Sequence, residues 1–320
     1  DLNIKDHEPT SKRFVSDNAS QKQLVSTQLD FSANLNKVAL EFGGKFSTVK
    51  TKSTLLFFDD ERGSFQERAD KSNVFDYDEQ QFAAYASMEY KWGKWSWKGG
   101  LRLENTALNG IVSEPADRNH QNYWALFPTF YAQYHTDQEY QWGFSYGKRI
   151  SRPAYSWLNP AKSYYNLFSY FQGDPRLRAT IIHNLNIMFT KENWNVDLFY
   201  RYEQWPSMEI SIQDNINHQL IYQYTNIKKG QGAGVDLSKS FQLLKNWSLN
   251  TQLEGMYNVN YYQGRDLELY RNQVWMANGN VSSTFLLNKN VDWNLEMAIP
   301  LSRLPYRGLL RFLVTQVPTY

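Results

Sequence analysis

The 320-residue sequence contains no cysteine. That removes disulfide frameworks, thiolate metal sites and cysteine nucleophiles. It also lacks a charge excess: 34 Lys plus Arg against 32 Asp plus Glu leave a net charge of +2. Neither nucleic-acid binding nor a polybasic membrane-surface role is supported by such a balance. No apolar run approaches the ~20 residues of a membrane helix, and mean hydropathy is −0.64. Histidine is scarce, at five residues, and none pairs at metal-ligand spacing. No Gly-x-Ser-x-Gly motif or other nucleophile–base set can be assembled, so the chain does not read as an enzyme and calls for no cofactor. Gly230-Gln231-Gly232-Ala233-Gly234 is glycine-rich, but no helix follows on which a phosphate would sit, and it reads as the flexible start of a strand. The opening Asp1-Leu2-Asn3-Ile4 carries no signal-peptide pattern. The expectation is a removed leader or a longer parent chain.

What the sequence has in quantity is aromatic residues: 11 Trp, 22 Tyr and 19 Phe, 16% of the chain. They are ordered with period two. Phe82, Ala84, Ala86, Met88, Tyr90 and Trp92 alternate with Gln81, Ala83, Tyr85, Ser87, Glu89 and Lys91. Trp95, Trp97, Gly99, Leu101 and Leu103 alternate with Ser96, Lys98, Gly100, Arg102 and Glu104. The same holds from Val25 to Ala33, Val38 to Phe46, Trp194 to Tyr202, Trp247 to Leu253 and Val291 to Ile299. Successive strand side chains point to opposite faces, so these segments are β-strands with one apolar face. No comparable stretch has period 3.6, and helix content is expected to be very low.

Alternation suits a soluble sandwich as well as a membrane barrel. The connections separate the two. Short polar turns fall near Asn36-Lys37, Gly93-Lys94, Thr136-Asp137-Gln138, Lys191-Glu192-Asn193, Leu244-Lys245-Asn246 and Asn288-Lys289-Asn290. They alternate with longer connections at 59–76, 109–121, 151–182, 206–219 and 262–271. An up-and-down outer-membrane barrel sorts its loops in this way, with short periplasmic turns and long external loops. Aromatics such as Trp92 and Trp95, Phe189 and Trp194, and Phe285 and Trp293 flank the short turns, as a girdle at a membrane interface would.

The expectation is therefore an all-β, antiparallel, up-and-down transmembrane β-barrel. About twelve strands are read near 23–35, 38–57, 77–92, 95–108, 122–135, 139–150, 183–190, 194–205, 219–241, 246–261, 271–287 and 291–301. Arg311 to Tyr320 reads as the opening of a further strand. The chain is expected not to close on itself but to form one barrel domain over residues 1–320 within a larger barrel. Trp95, Leu101, Leu103, Trp142, Phe144, Leu198, Leu249 and Leu295 should face lipid. Arg102, Glu104, Asp197, Arg201, Gln252 and Glu296 should face the lumen, because a basic residue on the lipid face near mid-bilayer costs roughly 2–4 kcal/mol.

Several short motifs resemble the outer-membrane β-barrel family found on the C-terminal side of TonB-dependent-receptor-like proteins of Gram-negative bacteria. They are Gly100-Leu-Arg-Leu-Glu-Asn-Thr106, Leu126-Phe-Pro-Thr-Phe130, Ser145-Tyr-Gly-Lys-Arg-Ile-Ser-Arg-Pro153 running to Leu158-Asn-Pro160, Gln172-Gly-Asp-Pro-Arg-Leu177, and Tyr224-Thr-Asn-Ile227 followed by Gly234. Their order agrees over about residues 75–310. The resemblance implies a barrel of about 22 strands filled by an N-terminal plug, sited in the outer membrane, and energised import of a bulky nutrient through TonB. No segment of this sequence reads as a plug, so TonB would act through a plug domain absent from this chain. Outer-membrane lipid is an implied partner and a surface lipoprotein a candidate one. A non-transporting adhesin or scaffold barrel, and a small closed twelve-stranded channel, are the alternatives.

Within the 151–182 connection, Tyr155, Trp157, Tyr164, Tyr165 and Tyr170, with Arg176 beside them, are the candidate ligand-binding residues. Aromatic rings there suit sugars, peptides or aromatic chelators, or else pack the loop on itself. Arg149 and Arg152 flank the loop and suit an anionic ligand or loop carboxylates. Asp59-Asp60-Glu61 and Asp76-Tyr77-Asp78-Glu79 bracket another loop. Their oxygens would suit calcium, though such clusters are ordinarily solvated.

Overall fold

The computed structural model describes residues 13–61, 63–113, 116–136, 140–263, 269–288, 291–300 and 309–316. In chain order the elements are β1 (Phe14–Leu35), β2 (Val38–Glu61), β3 (Ser64–Glu67), β4 (Asn73–Trp92), β5 (Trp95–Val112), β6 (Asp117–His135), β7 (Tyr140–Ser151), α1 (Tyr155–Leu158), β8 (Lys162–Asn166), β9 (Ser169–Gln172), β10 (Thr180–Lys191), β11 (Trp194–Gln204), β12 (Ser207–Asp214), β13 (Gln219–Asn226), β14 (Lys229–Leu244), β15 (Trp247–Gln263), β16 (Leu269–Asn288), β17 (Val291–Pro300) and β18 (Leu309–Gln316).

Thirteen of these strands form one antiparallel sheet in the order β1-β2-β4-β5-β6-β7-β10-β11-β14-β15-β16-β17-β18, with β3 added on β2. Every strand on that path pairs with the next one along the chain, leaving aside the strands held in the loops, so the sheet is an up-and-down meander. The count exceeds the expected twelve because Leu309–Gln316 does become a strand, with Phe312 opposite Leu295. β17 thus lies between β16 and β18 and is not paired to β1. The partial-barrel expectation is met, and the closed twelve-stranded channel is not the arrangement observed.

The register carries the two parities from strand to strand without inversion, save for bulges beside two short turns, at Gln242/Leu244 and Leu286/Asn288. Leu101 pairs with Pro128, Leu198 with Val235, Leu253 with Leu237 and Leu295 with Ser283. On the other parity Arg102 pairs with Phe127, Asp197 with Asp236, Gln252 with Ser238 and Glu296 with Ser282. All eight residues expected to face lipid lie on one face, and all six expected to face the lumen lie on the other. Trp95, Leu101, Leu103, Trp142 and Leu198 are exposed on the apolar face, where rings also pair across strands. Trp95 lies 4.7 Å from Tyr134, Trp142 4.6 Å from Phe189 and Trp247 4.7 Å from Phe285.

The short turns use left-handed residues, as tight hairpins require: Asn36 (φ 55°), Gly93 (φ 58°) and Glu192 (φ 49°). The turn positions Asp137-Gln138 and Lys289-Asn290 lie outside the described residues, as do residues 317–320.

Two expectations need correction. The 109–121 connection is largely strand: β5 and β6 stay paired out to Val112 and Asp117, so ladder hydrogen bonding extends where a loop was read. The strand expected over 219–241 is two. Gln219–Asn226 leaves the main sheet for a small second one, and only Lys229–Leu244 joins the main sheet. Both pieces alternate, and only the break at Asn226-Ile227-Lys228 separates them in the sequence.

Candidate functional site

Two long connections, 152–179 and 205–228, fold together against the polar face of the sheet. β7 ends at Ser151, and Arg152 turns inward. Its Nη2 donates to Thr106 Oγ1 at 2.8 Å and to Glu104 Oε1, and its Nε lies 3.5 Å from Glu79 Oε1. Both carboxylates are buried, and Arg152 is 22% exposed. Tyr77 and Gln81 donate to Glu79, and Arg102 donates to Glu104 at 2.9 Å. Every formal charge is therefore answered, as buried ions require. Arg152 pairs with strand carboxylates rather than loop ones.

The segment beyond Arg152 is closed on itself. Trp157 C=O accepts from the Asp174 amide at 2.7 Å and Asn159 C=O from the Gly173 amide at 2.9 Å. A Cβ at Gly173 would lie 2.6 Å from the Trp157 carbonyl oxygen, so only glycine fits this close approach. The closed segment seats on the wall. Leu158 and Leu177 join Phe75, Tyr77, Leu108 and Val112 in a buried cluster. Tyr155 lies 5.0 Å from Tyr77, Tyr164 4.9 Å from Phe57, and Asn159 Nδ2 donates to Ser53 Oγ at 3.3 Å. The inner parity of β2, β4 and β5 is thus apolar near this end, where the loop covers it.

The second connection is held by Asn226. Its Oδ1 accepts from the Arg178 amide at 2.8 Å and its Nδ2 donates to the Trp205 and Arg178 carbonyls at 2.8 and 3.1 Å. β12 and β13 then form a hairpin, and β13 lies parallel to β9 through Leu220↔Ser169, Ile221↔Tyr170 and Tyr222↔Phe171. The result is a four-stranded sheet in the order β12-β13-β9-β8. One face turns Tyr164 to the wall. The other parity carries a run of rings: Trp157 stacks on Tyr224 at 3.8 Å, Phe171 meets Tyr224 at 6.1 Å, and Tyr165 meets Tyr222 at 5.7 Å. Trp157 and Tyr224, at its inner end, also pack against the buried wall cluster. Beneath α1 lies a cavity of about 200 Å³ whose lining includes Arg152, Trp157, Arg201 and Glu203.

The six candidate residues therefore divide. Tyr155, Tyr164 and Tyr170 pack inward, and burial pushes their phenols above the ordinary range. Trp157 is half-buried in its stack with Tyr224. Tyr165 is 64% exposed at the outer edge. Arg176 is exposed and paired with Asp174 at 3.2 Å. Tyr222, Tyr224 and Phe171 complete the ring run. The first two are missed by the sequence reading because 219–241 looks like one membrane strand, although Asn226-Ile227-Lys228 interrupts its alternation. The acidic clusters are matched by cations: Asp59 by Arg68 and Lys71, Asp60 by Arg13, Asp78 by Lys50. Gly232, read as flexible, has the space of its missing side chain taken by Asn258 of the next strand.

This architecture has known counterparts. The family model for the outer membrane protein beta-barrel family matches residues 1–306. The chain belongs to this family. It is thereby placed in the outer membrane of a Gram-negative cell, with the apolar face toward lipid and the polar face toward the barrel interior. Among solved structures it resembles the copper transporter OprC (TM-score 0.60, 11% identity, 88% of this chain and 51% of that one). It also resembles the Serratia marcescens hemophore receptor HasR, solved with HasA and heme (TM-score 0.55, 11% identity, 92% and 60%). A third is the ferric yersiniabactin uptake receptor FyuA of Yersinia pestis (TM-score 0.53, 10% identity, 89% and 50%). At such identity the likeness is one of fold. The chain spans about half the length of OprC and FyuA. No curated protein matches it.

Proposed function

We propose that this chain is the barrel portion of a TonB-dependent-type receptor that imports a bulky nutrient, with residues 1–320 forming one barrel unit. The observation that carries the reading is the co-folded sheet β12-β13-β9-β8, anchored over the barrel interior and presenting aromatic rings. A loop that served only as a connection has no need of a buried ion network to hold it inward. Tyr165 and Arg176, exposed at different edges, would meet the ligand first, and Trp157, Tyr222 and Tyr224 would form the surface behind them. Energy would come from the TonB system through a plug domain, and a surface lipoprotein would be a second partner. OprC is named a copper transporter, FyuA an uptake receptor and HasR a hemophore receptor, and these names agree with this assignment.

The test is uptake by intact cells carrying or lacking the full-length gene, across a panel of metal chelates, heme, cobalamins and oligosaccharides. A defect confined to one compound, and reproduced by loss of TonB, is expected. Normal uptake of every compound, with a defect only in adhesion or envelope assembly, would replace this reading with the scaffold one.

A further inference from the structure

At the short-turn end, four consecutive strands of the main sheet share one row of residues. Tyr140 of β7 pairs with Lys191 of β10, Lys191 with Trp194 of β11, and Trp194 with Lys239 of β14. All four stand on the lipid-facing parity, in line with Trp142, Phe189, Val196 and Leu237 on the same strands. Ring and ammonium therefore alternate across the row. Lys191 Nζ lies 4.6 Å from the Tyr140 ring centre. Lys239 Nζ lies 4.2 Å from that of Trp194 and 4.6 Å from that of Phe241.

The row sits at the edge of the membrane-spanning region. Lys191 immediately precedes the Glu192-Asn193 turn, and the Ser240 amide donates to the Asn193 carbonyl at 3.1 Å, which sets Lys239 level with that turn. A lysine on a lipid-facing parity is costly at mid-bilayer and favourable at the headgroup layer, where its stem stays in hydrocarbon. Neither ammonium is held in an ion pair among the described residues; Lys191 donates to the Tyr140 hydroxyl, and Glu192, exposed in the turn, attracts it only electrostatically. Short turns of the same rim add Lys37, Lys94 and Lys245. Two strand spacings separate Lys191 from Lys239, roughly 9–10 Å, with the Trp194 ring between them. Such a shelf has an apolar floor for glycerol and acyl carbons and two cations above it for a phosphodiester.

We propose that the Tyr140–Lys191–Trp194–Lys239 row is a binding site for the phosphodiester headgroup of an anionic phospholipid in the leaflet on the short-turn side. The charge complementarity selects an anionic lipid over a zwitterionic one, whose own ammonium would be repelled by the two lysines. Each basic residue near an anionic bilayer surface is worth about a five-fold change in affinity.

The test uses the full-length protein in nanodiscs of mixed phosphatidylglycerol and phosphatidylethanolamine with identical acyl chains. Lipids retained after gentle detergent release are counted by native mass spectrometry. A preference for phosphatidylglycerol is expected, falling roughly twenty-five-fold in the Lys191→Gln/Lys239→Gln variant and kept in Lys191→Arg/Lys239→Arg. Heat-modifiable migration in gels confirms that each variant is folded. Equal retention of the two lipids by the unaltered protein overturns the proposal without any variant being needed. An unchanged preference in the folded glutamine variant overturns it too. Displacement of retained lipid by inorganic phosphate would overturn it in favour of a free-anion site.

Discussion

Replacing Arg152 with glutamine should release the 152–179 connection from the barrel wall and leave the barrel itself standing. Arg152 faces two carboxylates whose side chains are each 5% exposed. Removing one partner of a buried ion pair typically costs 3–5 kcal/mol, because the remaining charge is left without compensation. Two features move the value to the lower end. Arg152 itself keeps 22% exposure, and Glu104 and Glu79 retain Arg102 and Tyr77 respectively. About 3 kcal/mol is the working figure. The main-sheet ladder from β1 to β18 does not pass through Arg152, so the cost falls on docking of the loop. A 3 kcal/mol loss, at tenfold per 1.4 kcal/mol, raises the undocked population about 150-fold. Hydrogen exchange read by mass spectrometry resolves such local opening from global unfolding. Peptides covering 155–177 should exchange faster by about that factor, with those from β5 and β15 unchanged. Unaltered exchange in 155–177 would show that the apolar cluster of Leu158 and Leu177 alone holds the loop. An equal rise across all strands would show that the ion network supports the whole barrel.

Gly173→Ala should open the same loop by another route. Its Cβ must displace the Trp157 carbonyl, at a cost of about 1–3 kcal/mol, and limited proteolysis should then cut within 155–177. Leu101→Lys, on the lipid face, should lower the unfolding midpoint in vesicles by an amount equivalent to roughly 2–4 kcal/mol. Gln252→Lys, on the interior face beside Asp236, should change it little, and reversed outcomes would invert the assignment of faces. The phenols of half-buried Tyr155 and Tyr164 and of buried Tyr170 are harder to ionise when docked. The undocked loop therefore releases protons first, so the docking contribution is complete below the ordinary phenol range near 10 and is lost as pH rises above it. Exchange in 155–177 that stays flat between pH 9 and 11, after correction for intrinsic rate, would contradict this.

The barrel is legible in the sequence wherever one face meets lipid and the other meets a polar interior. Phe82, Ala84, Ala86 and Met88 against Gln81, Tyr85 and Ser87 need no coordinates to be sorted. Legibility fails where a third surface intervenes. Phe57, Phe75, Leu108 and Val112 sit on the interior parity yet are buried, because a loop covers them. Leu220 to Tyr224 alternates like a membrane strand, but its partners are β12 and β9. The aromatic wealth of 155–171 is visible from composition. Its division into wall-facing Tyr164 and Tyr170 and outward Tyr165 depends on the β8–β9 pairing, where the register slips between Tyr164 and Asn166. Arg152 gives no sign in the sequence of reaching Glu79, which lies across two neighbouring strands.

The parallel contact of β9 with β13 spans only three residue pairs, yet it joins loops that the chain makes fifty residues apart. Neither loop can then drift in length by itself. An insertion in 205–228 that shifts Ile221 away from Tyr170 exposes the edge of β9, and a deletion in 162–172 strands the β12–β13 hairpin. Homologues that diversify this outer surface should change the two segments in concert, as a matched pair exchanged together. An epitope tag will be tolerated at the β12–β13 turn near Ile216, which is 89% exposed, but not at Phe168, whose carbonyl accepts from the Leu220 amide of β13 at 2.7 Å.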